Sequence, residues 1–378
     1  MLYREFGQTG EKVSLLGFGC MRMPIIDDDE KNIDEPEAIK QIRYSIDKGV
    51  NYIDTAYPYH GGMSEPLVAK ALKDGYREKV KLATKLPSWD IKKPADMHRI
   101  LNEQLKKLET DTIDFYLLHA LNKDHWEILR KHKVFEFLDR AKKDGRIKYA
   151  GFSFHDELPL FKEIVDTYDW DFCQIQYNYM DEDYQAGREG LEYAAAKGMG
   201  IVIMEPLRGG YIVRNIPDEI QKIWDSADVN WTPAQWALKF VWNHPAVSVV
   251  LSGMNAISQI DENVAATEDA KPNSLSKDQL DRIYQVRDIY RSRIAVNCTS
   301  CGYCMPCPYG VGIPNCFEML NNAAMFDNPA EASRVYNLQM KGDKAASNCR
   351  ECGVCEDKCP QNIKIRKKLK EVVRVLEE

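Results

Sequence analysis

Two cysteine runs near the end of the sequence have the spacing that points most directly to chemistry. Residues 298–308, "CTSCGYCMPCP", and residues 349–360, "CRECGVCEDKCP", each contain four cysteines and place a proline after the last one. Nine of the eleven cysteines lie beyond residue 297, whereas all seven histidines precede it. Such clustering is typical of thiolate metal centres rather than of disulfides, and both zinc and iron–sulfur clusters use sites of this kind.

The repeated two-residue spacing favours iron–sulfur clusters over zinc. Three thiolates at this spacing bind one part of a cubane, and the fourth ligand comes from the other run, as in bacterial ferredoxins with two clusters. We therefore predict two [4Fe–4S] clusters, the first bound by Cys298, Cys301, Cys304 and Cys359 and the second by Cys349, Cys352, Cys355 and Cys307. Only two residues separate Cys304 from Cys307, where the ferredoxin pattern has three. Cys316 is the alternative remote ligand, although we interpret it as an unliganded helix residue.

Four polar residues of different types lie at or just after the ends of short apolar segments: Asp54, Tyr59, Lys85 and His119. The ordinary pKa of a tyrosine is about 10; a neighbouring ammonium favours the phenolate, and a carboxylate holds the ammonium in place. The tyrosine then becomes a general acid or base, and a histidine beside it can orient a carbonyl oxygen. This combination suits hydride transfer from a dihydronicotinamide. Taken singly, Asp54 and Lys85 also fit a structural ion pair, and His119 a core residue.

These residues need a scaffold that brings the ends of separate segments together. Up to about residue 270, eight apolar segments alternate with amphipathic segments, several of which end at glycine. The predicted strands are "SLLGFGCM", "YIDTA", "VKLATKL", "TIDFYLLHA", "YAGFSF", "FCQIQYNYM", "GIVIMEP" and "VSVVLSGM". Eight strands each followed by a helix predict an α/β fold, a closed (β/α)8 TIM barrel with its active site at the carboxyl ends of the strands.

Three segments resemble the aldo-keto reductase family. "YIDTAYPYHGGMSE" is similar to the family's Asp-Thr-Ala-x-x-Tyr segment, "LATK" to its lysine strand and "LLHA" to its histidine strand. The resemblance covers about residues 1–270. It implies that Tyr59 is the proton donor, that Lys85 and Asp54 tune it, and that His119 orients the substrate. A subset of bacterial and archaeal members looks similar as a whole, with a ferredoxin-like module after the barrel.

The same resemblance implies NADP or NAD as a cofactor, in contact with Ser153, Gln174, Met204, Gln259, Glu262 and Asn263. Ser153 and Gln174 match positions that bind the nicotinamide carboxamide, and Met204 stands where an aromatic residue often covers the ring. The last three match the adenosine-binding helix. Gly253 and Gln259 replace the lysine and arginine that many members direct at the 2′-phosphate. The choice between NAD and NADP therefore stays open, with Arg208 and Arg214 as alternative cations.

Length and charge limit the other classes of function. The 378 residues have a formal net charge of −7 without a block of like charge, so a nucleic acid partner is not expected. The basic start of "KIRKKLKEVVRVLEE" is interpreted as a solvated helix face. No segment has the length or flanks of a membrane span or signal peptide, and a cytoplasmic location is expected.

We place the barrel at residues 1–275, a helical linker at 276–297 and a helical, ferredoxin-like dicluster domain at 298–378.

Two functions of different classes are compatible with these features. The first is an NAD(P)-dependent oxidoreductase that reduces a carbonyl or oxidises an alcohol, with the clusters as electron conduit or scaffold. The second is an electron-transfer or redox-sensing protein with a catalytically silent barrel. Both allow a redox partner protein, whereas only the first needs a small-molecule carbonyl or alcohol substrate. Trp89 and Trp126, in loops after the third and fourth strands, are candidate pocket residues, with packing or exposed positions equally compatible.

Overall fold

The computed structural model describes residues 1–27, 29–340 and 342–378. They form two compact units. The barrel unit comprises Met1–Gly209 and Ala234–Ser276, and the C-terminal unit comprises Gly210–Pro233 and Lys277–Glu378. Residues 210–233, which we expected in the barrel domain from sequence, group with the C-terminal unit. The functional domain boundaries at residues 275 and 298 stay a prediction.

A short hairpin precedes the barrel strands. The hairpin consists of β1 (Tyr3–Glu5) and β2 (Lys12–Ser14), which pair antiparallel. The barrel strands are β3 (Leu16–Gly19), β4 (Tyr52–Asp54), β5 (Lys81–Pro87), β6 (Ile113–Leu121), β7 (Ile147–Phe154), β8 (Phe172–Gln176), β9 (Gly200–Met204) and β10 (Val249–Ser252). They pair in parallel, each with the next along the chain, and β10 pairs with β3 to close the barrel. The predicted TIM barrel is confirmed.

Amphipathic helices connect the strands. In the first part of the chain they are α1 (Glu35–Asp47), α2 (Ser64–Ala71), α3 (Pro94–Lys107), α4 (Lys123–Lys131), α5 (Val134–Lys143), α6 (Leu158–Thr167) and α7 (Gly187–Ala196). Helix α1 shows how the sequence specifies them: Ala38, Ile42 and Ile46 recur every four residues and are buried on one face. The Asp34 side chain accepts a hydrogen bond from the Glu37 backbone N–H at 3.2 Å and so caps its first turn.

The amino-terminal end of the barrel is closed by the turn of the hairpin. Phe6 is fully buried there, with its ring centroid 4.5 Å from that of Phe115 and 5.5 Å from that of Phe172. Gly7 has a φ of +55°, and a Cβ on it would lie 2.4 Å from the Gly200 nitrogen. The backbone can approach the strand this closely only because glycine is present. The packed floor leaves the carboxyl end of the barrel as the place for a site.

The remaining helices are α8 (Asp218–Asp225), α9 (Pro233–Asn243), α10 (Ile257–Ala266), α11 (Lys277–Ser292), α12 (Ile313–Met325), α13 (Pro329–Gln339), α14 (Val354–Asp357) and α15 (Ile365–Val372). A π-helical turn, Val373–Glu377, follows α15. The C-terminal unit has its own apolar core, which includes Phe317, Leu320, Tyr336 and Leu369. Across the described ranges, no helix is both long and apolar enough to cross a bilayer.

The barrel floor generates a stability prediction. Replacing Phe6→Ala removes the ring on which three aromatic side chains pack, and should lower the free energy of unfolding by about 3–5 kcal/mol. Urea denaturation followed by tryptophan fluorescence measures the change. Tyr3→Ala is the matched control in the same hairpin, because Tyr3 is 47% exposed and should cost much less. Equal losses in the two variants would contradict the role of Phe6.

Candidate active site and thiol sites

Three neighbouring strands and one turn bring the predicted catalytic residues together. Asp54 ends β4, Lys85 lies in β5 and His119 lies near the end of β6. Tyr59 begins a short 3-10 turn, Tyr59–Gly62, just after β4. Because β4, β5 and β6 are adjacent and parallel, their carboxyl ends meet at one rim of the barrel.

The Lys85 ammonium is the centre of this group. Its Nζ donates to Asp54 Oδ1 at 2.6 Å and to the Thr55 carbonyl oxygen at 2.8 Å. It also donates to the Tyr59 hydroxyl at 3.4 Å. The Lys85 side chain is 0% exposed and that of Asp54 3% exposed. The ammonium therefore has a partner for each of its three hydrogens, and one of the three is the phenol.

His119 lies next to Tyr59 and completes the group. The two ring centroids are 5.9 Å apart, with the ring planes at 77°. The indole of Trp89 lies 5.1 Å from the His119 ring, whereas Trp126 is buried and donates to Glu163 Oε1 at 3.1 Å. Within the part of the chain that the structure describes, His119 Nδ1 is buried without a hydrogen-bond partner. Of the two tryptophans, Trp89 is the one beside the predicted catalytic residues.

Burial and charge set the ionisation of the group. Burial lowers the pKa of Lys85, but the attraction of Asp54 and Tyr59 outweighs it, so the pKa is raised and the ammonium stays charged. Burial raises the pKa of Tyr59, and Lys85 offsets this only in part. Burial, the Lys85 charge and two nearby histidines hold the pKa of His119 well below its ordinary range. At neutral pH the group therefore consists of a charged lysine, a neutral phenol and a neutral imidazole.

The net shift at Tyr59 differs from the simple expectation from sequence. An ammonium beside a phenol was expected to lower its pKa, and Lys85 does act in that direction. Burial removes solvent from around the hydroxyl, and this raises the pKa of Tyr59 by more than the lysine lowers it. At neutral pH Tyr59 therefore carries the proton that a general acid must donate, although the raised pKa makes it a weaker acid than a solvated phenol.

The residues expected at the nicotinamide lie on consecutive strands. Ser153 in β7 pairs in register with Gln174 in β8, and Met204 ends β9. The Ser153 hydroxyl accepts from the Ala120 backbone N–H at 2.7 Å, and Gln174 Nε2 donates to Met204 Sδ at 3.5 Å. Gln174 Oε1 is buried and, among the described residues, has no partner. A buried amide oxygen of this kind fits an N–H donor such as a carboxamide.

The residues expected at the adenosine lie on or beside α10. Asn263 is 4% exposed and donates to the Ser252 hydroxyl at 3.2 Å, whereas Gln259 Oε1 accepts from the Asn255 backbone N–H at 2.9 Å. Glu262 lies on the same helix. These hydrogen bonds join the end of β10 to the helix that follows it.

The structure reveals one cation that sequence reasoning missed. Arg22, in the loop after β3, donates to the Gly209 carbonyl at 2.9 Å, and its Cβ is 3.3 Å from where a side chain would begin at Gly253. Arg22 could have been proposed from sequence, because it follows a predicted barrel strand and such loops form the active site. Arg208, one of the expected cations, instead lies 3.2 Å from Asp181 in an ion pair.

Four of the eight predicted cluster ligands surround one cavity. Cys298, Cys301, Cys304 and Cys359 line it, together with apolar side chains that include Phe317 and Ile365. The empty space is about 330 Å³, its opening to solvent included. Burial and the three neighbouring thiols raise the pKa of Cys304. Holding these four side chains as thiolates would require a cationic centre, which an iron–sulfur cluster would supply.

The second thiol set is brought together in part. Cys349 and Cys352 both lie close enough to Cys355 to contribute to the rise of its pKa to about 11, of which burial is the largest cause. Cys307 and Cys349 pack against the same apolar core. Cys316 is fully buried, with Sγ 3.9 Å from the Tyr336 hydroxyl and 3.8 Å from the Lys344 carbonyl. Its surroundings agree with an unliganded helix residue.

Comparison with known proteins adds the family to this geometry. The model of the Aldo/keto reductase family matches residues 15–288, and that of a 4Fe-4S dicluster domain matches residues 297–363. The chain belongs to the aldo/keto reductase family. It is an oxidoreductase of the aldo-keto reductase type with a C-terminal iron–sulfur domain, and the second match favours iron–sulfur clusters over zinc for the cysteine runs.

The individual relatives have low sequence identity to this chain, but the alignments cover most of each relative's length. A probable aldo-keto reductase 1 of Glycine max is 27% identical over 296 residues, which cover 69% of this chain and 83% of the relative. L-galactose dehydrogenase of Arabidopsis thaliana is 26% identical over 314 residues, covering 74% and 92%. The holo form of aldo-keto reductase AKR11C1 from Bacillus halodurans is 27% identical with a TM-score of 0.63, covering 75% of this chain and 96% of its own.

The charges around Tyr59 generate a titration prediction. In the double variant Asp54→Asn/Lys85→Met, the phenol loses the ammonium that stabilises its phenolate, so the pKa of Tyr59 should rise further. The double change avoids leaving an unpaired buried carboxylate. Ultraviolet difference spectra between each protein and its Tyr59→Phe counterpart isolate this one phenol among the nineteen tyrosines. Identical titration curves with and without the lysine would contradict the coupling.

Proposed function

We propose that the chain transfers a hydride between a nicotinamide dinucleotide and a small carbonyl or alcohol, with Tyr59 as general acid and base. The observation that carries the proposal is the buried Lys85 ammonium, which binds Asp54 at 2.6 Å and the Tyr59 hydroxyl at 3.4 Å. The neutral imidazole of His119 lies beside the phenol, with the ring centroids 5.9 Å apart, as a residue that orients a carbonyl should. An ion pair with only a structural role would not need a phenol and an imidazole beside it at the carboxyl end of the barrel.

In the reductive direction the residues divide the work as follows. The bound nicotinamide would supply the hydride. His119 holds the carbonyl oxygen by a hydrogen bond and so fixes the orientation of the carbon. Tyr59 gives its hydroxyl proton to that oxygen as negative charge develops, and Lys85 stabilises the phenolate that remains. In the oxidative direction Tyr59 must first be a phenolate, so its raised pKa makes alcohol oxidation faster as pH rises.

Residues on β7, β8, β9 and α10 would hold the nucleotide. Ser153 and Gln174 are assigned to the carboxamide, because the buried Gln174 Oε1 is without a partner among the described residues. Met204, beside Gln174, is assigned to the ring face, and Gln259, Glu262 and Asn263 to the adenosine. Arg22, against Gly253, supplies positive charge where the family's usual lysine is missing. Whether it binds a 2′-phosphate is the question that separates NADP from NAD.

The C-terminal unit is proposed to hold two [4Fe–4S] clusters. The cavity between Cys298, Cys301, Cys304 and Cys359 supports the first ligand set. The approach of Cys349 and Cys352 to Cys355 supports the second, for which Cys307 is the remote ligand. The clusters exchange single electrons with a partner protein or stabilise the unit. A cytoplasmic location, where such thiols stay reduced, fits this composition.

Replacing Tyr59→Phe tests the barrel chemistry. NADPH and NADH oxidation against a panel of aldehydes and ketones should fall by about 10²–10⁴-fold, because the proton donor is lost. Nucleotide binding, measured by quenching of tryptophan fluorescence, should stay nearly constant. Tyr57→Phe is the matched control, since the Tyr57 hydroxyl donates to Glu103 on α3. Unchanged turnover in Tyr59→Phe would rule out the mechanism and favour a silent barrel.

A pair of cysteine variants tests the ligand assignment. After anaerobic purification, Cys359→Ala should lose roughly half of the iron and acid-labile sulfide, because one of two clusters loses a ligand. Cys316→Ala should retain the full content, since Cys316 packs against Tyr336. Circular dichroism checks that both variants keep their helices. Iron loss in Cys316→Ala but not in Cys359→Ala would overturn the assignment, and zinc without sulfide in the unaltered protein would overturn the clusters.

A further inference from the structure

The basic run that opens the last helix lies beside both thiol sets. The two isoleucines on either side of Lys364 line the cavity of the first set. The guanidinium carbon of Arg366 is 3.9 Å from where a side chain would begin at Gly353, which lies within the second cysteine run. A segment interpreted from sequence as a solvated face therefore borders both metal-binding segments.

Several cations in and around this segment are exposed. Arg366 pairs with Glu356, and Lys370 pairs with Glu351. Among the described residues of 349–374, five further exposed cations form no ion pair: Arg350, Lys358, Lys364, Lys367 and Arg374. Residues 349–374 contain eight lysine and arginine residues against four acidic ones, in a chain whose net charge is −7. The excess of positive charge is thus local and coincides with the second thiol set.

The thiols at this surface are accessible. Cys352 and Cys301, one from each predicted ligand set, are exposed. Val354, two residues after Cys352, is 40% exposed, and Tyr303, two residues after Cys301, is 65% exposed. An exposed aromatic side chain such as Tyr303 is of the kind that is enriched at protein interfaces.

We infer that a basic edge, made of Arg350, Lys358, Lys364 and Lys367 on the segment that carries the exposed Cys352 and at the start of the helix after it, docks an acidic one-electron carrier protein. This inference rests on the proposed clusters. In the transfer, one electron leaves the reduced iron centre of the carrier and reduces one [4Fe–4S]²⁺ cluster to [4Fe–4S]⁺. No covalent bond forms or breaks, and no proton is required. Complementary charge brings the carrier to the exposed thiol and speeds the encounter.

The experiment uses the full-length protein with clusters and a reduced plant-type ferredoxin as the acidic probe. Stopped-flow bleaching of the [4Fe–4S] absorbance gives the second-order rate constant at several salt concentrations. The rate of the unaltered protein should fall as salt rises, because screening over about 10 Å weakens the attraction. In Lys364→Glu/Lys367→Glu the rate at low salt should fall by about 10-fold, and the salt dependence should flatten or reverse.

The matched control carries the same change of charge elsewhere in the C-terminal unit. Lys222→Glu/Lys277→Glu alters exposed lysines on α8 and α11, outside the cysteine runs, and should change the rate by less than about 2-fold. Lys364→Arg/Lys367→Arg keeps the charge and should keep the rate. Iron and sulfide contents, with electron paramagnetic resonance of the reduced clusters, show that each variant carries intact clusters.

Three results would overturn the inference while leaving the proposed clusters standing. The first is an equal loss of rate in both charge-reversed variants. The second is a rate that does not depend on salt in the unaltered protein. The third is co-sedimentation with phosphatidylserine vesicles that the basic-edge variant abolishes while its ferredoxin rate is unchanged, which would assign the edge to a membrane surface. Failure of the proposed clusters gives a different signature, since the unaltered protein would then contain no iron or sulfide.

Discussion

The buried contact between Lys85 and Asp54 is the interaction on which the catalytic end of the barrel depends. Removing two charges from water costs several kcal/mol per ion, and their attraction repays this only when the remaining hydrogen-bonding groups also find partners. The lysine meets that condition with the Thr55 carbonyl and the Tyr59 hydroxyl. The carboxylate meets it incompletely, because within the described residues Asp54 Oδ2 has no partner. The ion pair is therefore expected to contribute little to the free energy of folding. Its arrangement instead holds a cation against the Tyr59 phenol.

This contact constrains the rest of the barrel unit. Three adjacent parallel strands must stay in register so that their carboxyl ends remain together, and the floor at the opposite end must be packed. Phe6 supplies that packing from the hairpin, and Gly7 lets the backbone come close enough for it. The site therefore depends on residues at the far end of the barrel, none of which could take part in the chemistry.

Much of this arrangement could be predicted from sequence, for identifiable reasons. Strand ends can be read from periodicity, and a closed parallel barrel puts those ends together, so Asp54, Lys85 and His119 could be placed without coordinates. The net pKa of Tyr59 could not, since it depends on how far the hydroxyl is removed from water. The ion pair of Arg208 with Asp181 and the position of Arg22 against Gly253 could not be predicted either. Both arginines are long side chains on loops, and sequence spacing does not determine which groups such side chains contact.

The cysteine spacing predicted an iron–sulfur domain, which the family match supports, but it did not predict how that domain relates to the barrel chemistry. Hydride transfer moves two electrons in one step, whereas a [4Fe–4S] cluster accepts one at a time. Two reduced clusters would together hold two electrons, the number that a hydride carries. An equal number of electrons does not by itself couple the two reactions, because the single electrons must be paired before a hydride can form. Cys301 and Cys352 are exposed, so in the proposed ligand sets electrons would enter at the protein surface. In the proposed mechanism Tyr59, Lys85 and His119 need only a substrate and a nicotinamide to complete a reaction. Each unit thus has a chemistry that can proceed without the other, and barrel turnover with chemically oxidised clusters should remain possible.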